Sequence, residues 1–253
     1  MAPSVSLSRL DEVRSRLSAE ARVLVITGAG ISAESGVPTF RGAGGLYRGH
    51  DPMKLATPQA FARDPHLVWE WYDMRIATVE GAAPNAGHRA LAALEDRVTG
   101  FLLLTQNVDG LHQQAGSRHV FELHGSIRQA RGTKTGRLLP RREAEADPET
   151  GLPVMPGTGE LLRPHVVWFG EMLPRAPFEA LSAFLRQGAV DVCLVIGTTA
   201  LLPYIGESAR LAQRTGALVV EINPEPGEVA ALADVVWPTT AGYALPLLLA
   251  AEG

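Results

Sequence analysis

Four consecutive apolar residues, Val23-Leu24-Val25-Ile26, stop abruptly at Thr27-Gly28-Ala29-Gly30. A run that is short, largely β-branched and without polar alternation predicts a strand buried on both faces, as in the middle of a parallel sheet. Gly28, Gly30 and Ala33 then fit the spacing G-x-G-x-x-G/A. Two glycines let the backbone turn tightly and approach a pyrophosphate. Residues Ile31 to Ser35 begin a helix whose N-terminal N–H groups and dipole favour phosphate. A glycine-rich turn without a ligand fits the same letters. The acidic residue that usually follows about twenty residues later, at the end of a second strand, is missing. Instead the chain runs Gly36-Val37-Pro38-Thr39-Phe40-Arg41-Gly42, a loop with an aromatic ring and a cation that suggests a ligand covered from above.

A chain of 253 residues can bury one large core with room for a small second module. Its net charge of -4 gives no reason to expect nucleic acid or an acidic membrane as partner. One cysteine, Cys193, excludes an internal disulfide and a multi-cysteine metal cluster. It lies within Val192-Cys193-Leu194-Val195-Ile196, where a small buried hydrophobe is expected. No basic start leads into an apolar run, and no apolar stretch approaches the ~18 residues needed to span a bilayer. A cytoplasmic protein without a membrane partner is the expectation.

Along the chain, Leu7, Leu10, Val13 and Leu17 predict an amphipathic helix over the sheet. Residues 42–58 are loop-like. Thr57-Pro58 starts a short helix, Pro65 opens a longer one to about Glu80, and Asn85 caps a helix through Leu94. Phe101 to Thr105 and Val120 to Leu123 predict two further strands. The stretch Arg128 to Glu160 is polar with little periodicity. It is basic first (Arg128, Arg131, Lys134, Arg137, Arg141, Arg142) and acidic after (Glu143, Glu145, Asp147, Glu149). A nucleic-acid patch and a solvated excursion with compensating charges both fit, and the latter is favoured. Val166 to Phe169, Asp191 to Thr198, Ala217 to Asn223 and Asp234 to Trp237 predict strands. Helices are expected at Phe178 to Gln187, Tyr204 to Arg214 and near Leu245. This alternation predicts an α/β fold, a parallel sheet with helices on both faces.

Such sheets bind ligands at the carboxyl ends of their strands. Thr27-Gly28, Gln106-Asn107, His124, Gly197-Thr198 and Asn223 all fall there. Of the seven histidines, His124 alone ends a strand with glycine beside it. There it can be a general base or a structural histidine. A nucleophile has no obvious carrier, since Cys193 lies inside a strand and no serine sits in an elbow motif.

Gly28 to Arg41 (GAGISAESGVPTFR), Thr105 to His112 (TQNVDGLH), Leu123-His124-Gly125, Arg163 to Glu171 (RPHVVWFGE) and Gly197-Thr198-Thr199 together resemble the sirtuins, NAD-dependent protein lysine deacylases. The matches keep the family's order over nearly the whole chain. The resemblance implies a Rossmann-type domain (1–41, 82–127 and 166–253) and a small domain (42–81 and 128–165) made of a helical module and a zinc-module-like insertion. It also implies that Gly28, Ala29 and Gly30 hold the NAD phosphates, and that Phe40 and Arg41 lie over the nicotinamide ribose region. Gln106, Asn107 and Asp109 would line the ribose and nicotinamide pocket, with Asn107 and His124 as the catalytic pair and His124 as the base. Gly197, Thr198, Thr199, Asn223 and the turn at Gly242-Tyr243 would meet the adenosine half; Thr199 stands where serine is usual. Val167, Phe169 and Gly170, with the segment near Leu201, would bind an acyl-lysine peptide as an added strand.

By that resemblance NAD is consumed as a co-substrate, giving free lysine, nicotinamide and O-acyl-ADP-ribose. Most sirtuins carry two cysteine pairs in the small module. Here no cysteine occurs between Gly125 and Val192, and Gly132 and Thr135 stand where the first pair would be, so no zinc is expected. Tyr72 and Arg75, three apart on a helix, share a face. They can be an aromatic residue and a snorkelling arginine on an amphipathic helix. Following Ala56-Thr57-Pro58, Tyr-x-x-Arg also resembles the sirtuin class that removes succinyl and malonyl groups. An NAD-linked dehydrogenase, a non-catalytic NAD or ADP-ribose sensor and a protein ADP-ribosyltransferase are the competing classes.

Overall fold

Both faces of the strand at Val23–Ile26 are indeed covered, and the rest of the molecule follows from that burial. The computed structural model describes residues 7–39 and 52–250. Helix α1 (Leu7–Arg16) precedes β1 (Arg22–Thr27), and the single-turn α2 (Gly30–Ala33) follows it. Next come α3 (Pro52–Leu55), α4 (Pro58–Arg63), α5 (Pro65–Glu80) and α6 (Ala86–Arg97). Then β2 (Gly100–Thr105), α7 (Leu111–Gln114) and β3 (Val120–Glu122) lead into β4 (Gly125–Gly132), β5 (Leu138–Pro140), β6 (Glu145–Ala146), β7 (Pro153–Val154) and β8 (Leu162–Val166). The chain closes through α8 (Ala176–Arg186), β9 (Val192–Ile196), α9 (Pro203–Arg214), β10 (Leu218–Ile222), β11 (Val235–Trp237) and α10 (Ala241–Leu249).

Six strands form one parallel sheet in the order β11-β10-β9-β1-β2-β3. Alternate residues of β1 serve opposite faces, as the two-residue period of a strand requires. Val23 and Val25 pack with Leu91, Leu94 and Leu245, whereas Leu24 and Ile26 pack with Leu181, Phe184 and Ala209. The chain leaves β1 toward β2 on one side, and β9 lies on the other. The strand order therefore reverses at β1, which opens a crevice outside the carboxyl ends of β1 and β9.

Local chemistry explains the helix starts. The Thr57 hydroxyl accepts from Ala60 N at 3.0 Å, and Asn85 accepts from Gly87 N at 2.9 Å with His88 completing a capping box. The cap of α5 is Asp64, which accepts from Leu67 N at 2.9 Å. Helix α2 stops after one turn, short of the helix expected from Ile31 to Ser35, and α6 continues past Leu94 to Arg97.

Two expectations change. The stretch after Arg128 is not an irregular excursion: β4 pairs antiparallel with β5 and β8, and β6 with β7. The strand expected at Val166 to Phe169 lies earlier, as β8, in this smaller sheet, and residues 167–171 form a loop. Arg163 fixes that loop. Its guanidinium stacks on the Trp168 ring, 3.3 Å from the centroid, and donates to both oxygens of Glu171 at 2.5 and 2.9 Å. Glu171 in turn accepts from Trp168 N at 2.8 Å. A third apolar cluster, including Phe61, Trp69, Trp71, Tyr72, Ile127, Leu162 and Trp168, joins α4 and α5 to this sheet.

Around Gly132 and Thr135, where the resemblance would put the first cysteine pair, a carboxylate ties the turns together. Glu160 accepts from Lys134 N at 2.6 Å, Thr135 N at 2.7 Å and the Thr135 hydroxyl at 2.8 Å. A Cβ on Gly132 would meet that carboxylate at 2.5 Å, so a larger residue there would have to push the Glu160 side chain from its turn. These bonds hold the Glu160 carboxyl below its ordinary range. Glu160→Ala is expected to lower the melting temperature and open residues 132–160 to protease, with chelator leaving the wild type unchanged. Metal analysis returning stoichiometric zinc would overturn this account.

Candidate active site

The glycine turn after β1 packs against the turn after β9. Gly28 N donates to Ile196 O at 3.0 Å and Gly30 N to Gly197 O at 2.8 Å. A Cβ on Gly30 would lie 2.7 Å from Gly197 Cα, and Gly197 has φ +61°. These glycines thus allow two strand ends to touch, and the N–H groups of Gly28 and Gly30 point inward to the sheet. The two glycines therefore serve the tight turn and the close approach of backbone, as their spacing suggests, while their own N–H groups are spent on β9.

Around that turn the strand ends assemble a polar floor. Gln106 Nε2 donates to the Thr198 hydroxyl at 2.9 Å, and Asn223 Nδ2 donates to Thr198 O at 3.2 Å. Asn107 Nδ2 donates to the Ser32 hydroxyl at 3.1 Å, and Ser32 donates to Asp109 at 2.8 Å. Burial raises the Asp109 carboxyl, against the opposing bonds from Leu111 N and Ser32. Next to it lies a pair of buried histidines, His88 of α6 and His112 of α7. His88 and His112 meet edge to face, with ring centroids 4.8 Å apart. His112 Nε2 bonds to the Thr27 hydroxyl at 2.9 Å, and His88 Nε2 lies 3.4 Å from the Ser32 hydroxyl. Burial first, then a neighbouring cation or imidazole, lowers His88 to about 4 and His112 to about 3, so both are neutral at neutral pH.

His124 follows β3 and is half-buried. Gly125 beside it has φ +78°, and a Cβ there would fall 2.2 Å from His165 O, which only glycine avoids. The His124 carbonyl accepts from Val167 N at 2.9 Å, tying it to the loop of residues 167–171. Its Nδ1 donates to Gln106 O at 2.9 Å, which leaves Nε2 as the acceptor in the neutral ring. The Tyr204 hydroxyl donates to that Nε2 at 2.5 Å. Burial lowers the imidazole pKa, and the Gln106 carbonyl opposes this.

Other expected residues lie further out. Thr199 is exposed at the surface and its carbonyl accepts from Glu228 N at 3.0 Å, Tyr243 is 61% exposed, and Phe169 and Gly170 are exposed in the loop, Phe169 N donating to Ala56 O at 2.9 Å. Phe40 and Arg41 lie outside the described residues. Tyr72 and Arg75 do share a face of α5, and both are buried. The Arg75 guanidinium lies over Trp71 at 4.7 Å and over Tyr72 at 5.2 Å, while Trp168 Nε1 donates to the Tyr72 hydroxyl at 2.9 Å. Among the described residues no carboxylate forms an ion pair with Arg75. Reading the sequence missed Ser32, His88, His112 and Tyr204. The first three had a signal, since Ser32 and His112 fall within the strings around Gly28 and Asn107, and His88 follows the Asn85 cap.

A Rossmann-type sheet with a strand-end histidine and a buried polar floor defines a nucleotide-using enzyme. The description "Sir2 family" matches residues 28–202. The NAD-dependent protein deacylase of Thermus thermophilus is 45% identical over 96% of this chain and 95% of its own. NAD-dependent protein deacylase 2 of Pyrobaculum aerophilum is 49% identical over 92% of each chain. A solved Sir2 homologue in complex with NAD superposes with TM-score 0.83 at 38% identity, over 98% of this chain and 94% of that one. The chain belongs to the Sir2 family.

Proposed function

We propose that this Sir2-family chain, an NAD-dependent protein lysine deacylase, favours acyl groups that end in a carboxylate and uses His124 as its general base. NAD is the co-substrate. The residues present suit it: the Gly28–Gly30 turn permits close approach, and Gln106, Asn107, Asp109, Thr198 and Asn223 offer amide, hydroxyl and carboxylate groups for ribose and nicotinamide. Gly197, Thr199 and Tyr243 complete the adenosine side in this reading, and Phe40 and Arg41 cover the nicotinamide ribose. Val167, Phe169 and Gly170 meet the peptide in this reading through main-chain groups other than the Val167 and Phe169 N–H, which bond to His124 O and Ala56 O. In this reading residues 1–41, 82–127 and 166–253 form the NAD-binding domain and 42–81 and 128–165 the small one; the packing of α4 and α5 on the smaller sheet supports the division, although Ile127, Val166 and Trp168 join that smaller cluster. The substrates are taken to be cytoplasmic proteins.

The acyl preference is carried by one observation, the buried Arg75 guanidinium stacked on Trp71 and Tyr72. A buried cation is costly unless paired. A dicarboxylic acyl chain supplies the partner, and a guanidinium takes a carboxylate bidentately. A panel of succinyl-, malonyl- and acetyl-lysine peptides with NAD, read by mass, tests it. Succinyl and malonyl peptides should react fastest, releasing nicotinamide and O-acyl-ADP-ribose. ADP-ribose attached to protein, with the acyl group retained on the peptide, would indicate an ADP-ribosyltransferase instead.

A further inference from the structure

The His124 lone pair at Nε2, the atom that must receive a proton, is already occupied by the hydroxyl of Tyr204. We propose that Tyr204 is a second catalytic residue: its hydroxyl accepts the proton of the attacking ribose hydroxyl while donating its own proton to His124 Nε2. This rests on the reading of His124 as the general base.

The geometry favours a relay over a cap that must swing aside. Tyr204 sits in the first turn of α9, immediately after Pro203, whose ring fixes φ at the helix start. Its carbonyl accepts from the Ser208 hydroxyl at 2.7 Å. Its ring stands edge to face between two partners, Phe178 of α8 and His124, each with a centroid distance of 6.1 Å. The phenol is thus held by two helices and by the base itself. The ring is only half-buried. A phenol has one proton to give and two lone pairs to receive. With the proton directed to Nε2, the lone pairs remain for an incoming hydroxyl. Burial raises this phenol to about 12, so it stays protonated and keeps its donor role at neutral pH.

The step balances. The ribose O–H bond breaks and its proton bonds to the Tyr204 oxygen. The original phenolic proton moves to Nε2, making an imidazolium. The ribose oxygen's electron pair forms the new bond to the carbon of the imidate left after nicotinamide departs, and that carbon's C=N π pair moves onto the lysine nitrogen. Tyrosine ends neutral, so no phenolate is required.

Tyr204→Phe removes one oxygen and keeps the ring, and a melting curve checks that the fold is retained. With succinyl peptide and NAD in single turnover, its O-acyl-ADP-ribose formation should fall by about tenfold or more, while nicotinamide release, which precedes the proton step, continues. In mixed light and heavy water the wild-type rate should vary with a curved dependence, two protons moving together, and that of the variant with a linear one. In the ligand-free protein the 15N signal of His124 Nε2 should move in Tyr204→Phe while that of Nδ1 stays. Product formation in Tyr204→Phe as fast as wild type or faster, or a linear wild-type dependence, overturns the relay and leaves a displaceable cap. Normal turnover by a folded His124→Ala protein would instead remove the base itself, so the two failures are distinguishable.

Discussion

A His124→Ala protein is expected to bind NAD nearly as well as wild type and to deacylate at least about 10²-fold more slowly. Binding survives because the predicted phosphate contacts come from the Gly28–Gly30 turn, which touches β9 and not His124. Turnover falls because no other described imidazole at the strand ends combines a neutral ring with access from outside. His88 and His112 are neutral too, but each is buried. The Gln106 carbonyl makes Nδ1 the protonated nitrogen, so Nε2 is the basic atom. Burial lowers the pKa below the ordinary 6.5. The active form is the unprotonated one, so activity should persist as pH falls through 6.5 and decline only below it. Calorimetric NAD titration, single-turnover rates and a pH profile of the wild type check these statements together. Near-normal deacylation by a folded His124→Ala protein, or an acid limb above 6.5, would end this assignment.

The sheet was legible because its signal is local. Unbroken apolar runs at Val23–Ile26, Phe101–Leu104 and Val192–Ile196 become strands buried on both faces, and Thr57 and Asn85 announce helix starts by their own side chains. The same rule failed at Val166 to Phe169. An apolar run says that residues are wanted inside but not in what conformation. Here Trp168 is buried against a guanidinium from Arg163 within a loop. The small sheet was hidden for a related reason. Strands β5, β6 and β7 hold three residues or fewer, too short for a period to show. The turn between β4 and β5 is secured by Glu160, 25 residues away from Thr135. In the candidate site, His124 stood out by its glycine neighbour, whereas Tyr204 did not. A tyrosine at a helix start is unremarked in sequence, and its bond to His124 spans 80 residues.

Arg75→Met should depress desuccinylation far more than deacetylation. Methionine keeps an unbranched apolar stem against Trp71 and Tyr72 and removes the charge. The two rings lie at 4.7 and 5.2 Å from the guanidinium carbon, so among the described residues their faces and a hydrogen bond to the Tyr72 hydroxyl stabilise the cation without a ligand. A bound succinyl or malonyl carboxylate adds a charge-assisted pair, and such bonds contribute ~1.5–3 kcal/mol. Converted at about 1.4 kcal/mol per decade, that is about tenfold to a hundredfold in kcat/KM for the acidic acyl group. Acetyl-lysine has no carboxylate to place there. It leaves the guanidinium unpaired in wild type, and the methionine variant removes that desolvated charge, so deacetylation should hold or rise. The Tyr72 hydroxyl already accepts from Trp168 Nε1, which leaves its own proton for the carboxylate. Tyr72→Phe should therefore reproduce the preference change in weaker form, since a neutral hydrogen bond is lost and not an ion pair. The discriminating quantity is the ratio of kcat/KM for succinyl and acetyl versions of one peptide, measured in the three proteins. An unchanged ratio in Arg75→Met, or a wild type indifferent to the acyl group, would place Arg75 among the packing residues of α5 and leave the pocket without acid selectivity.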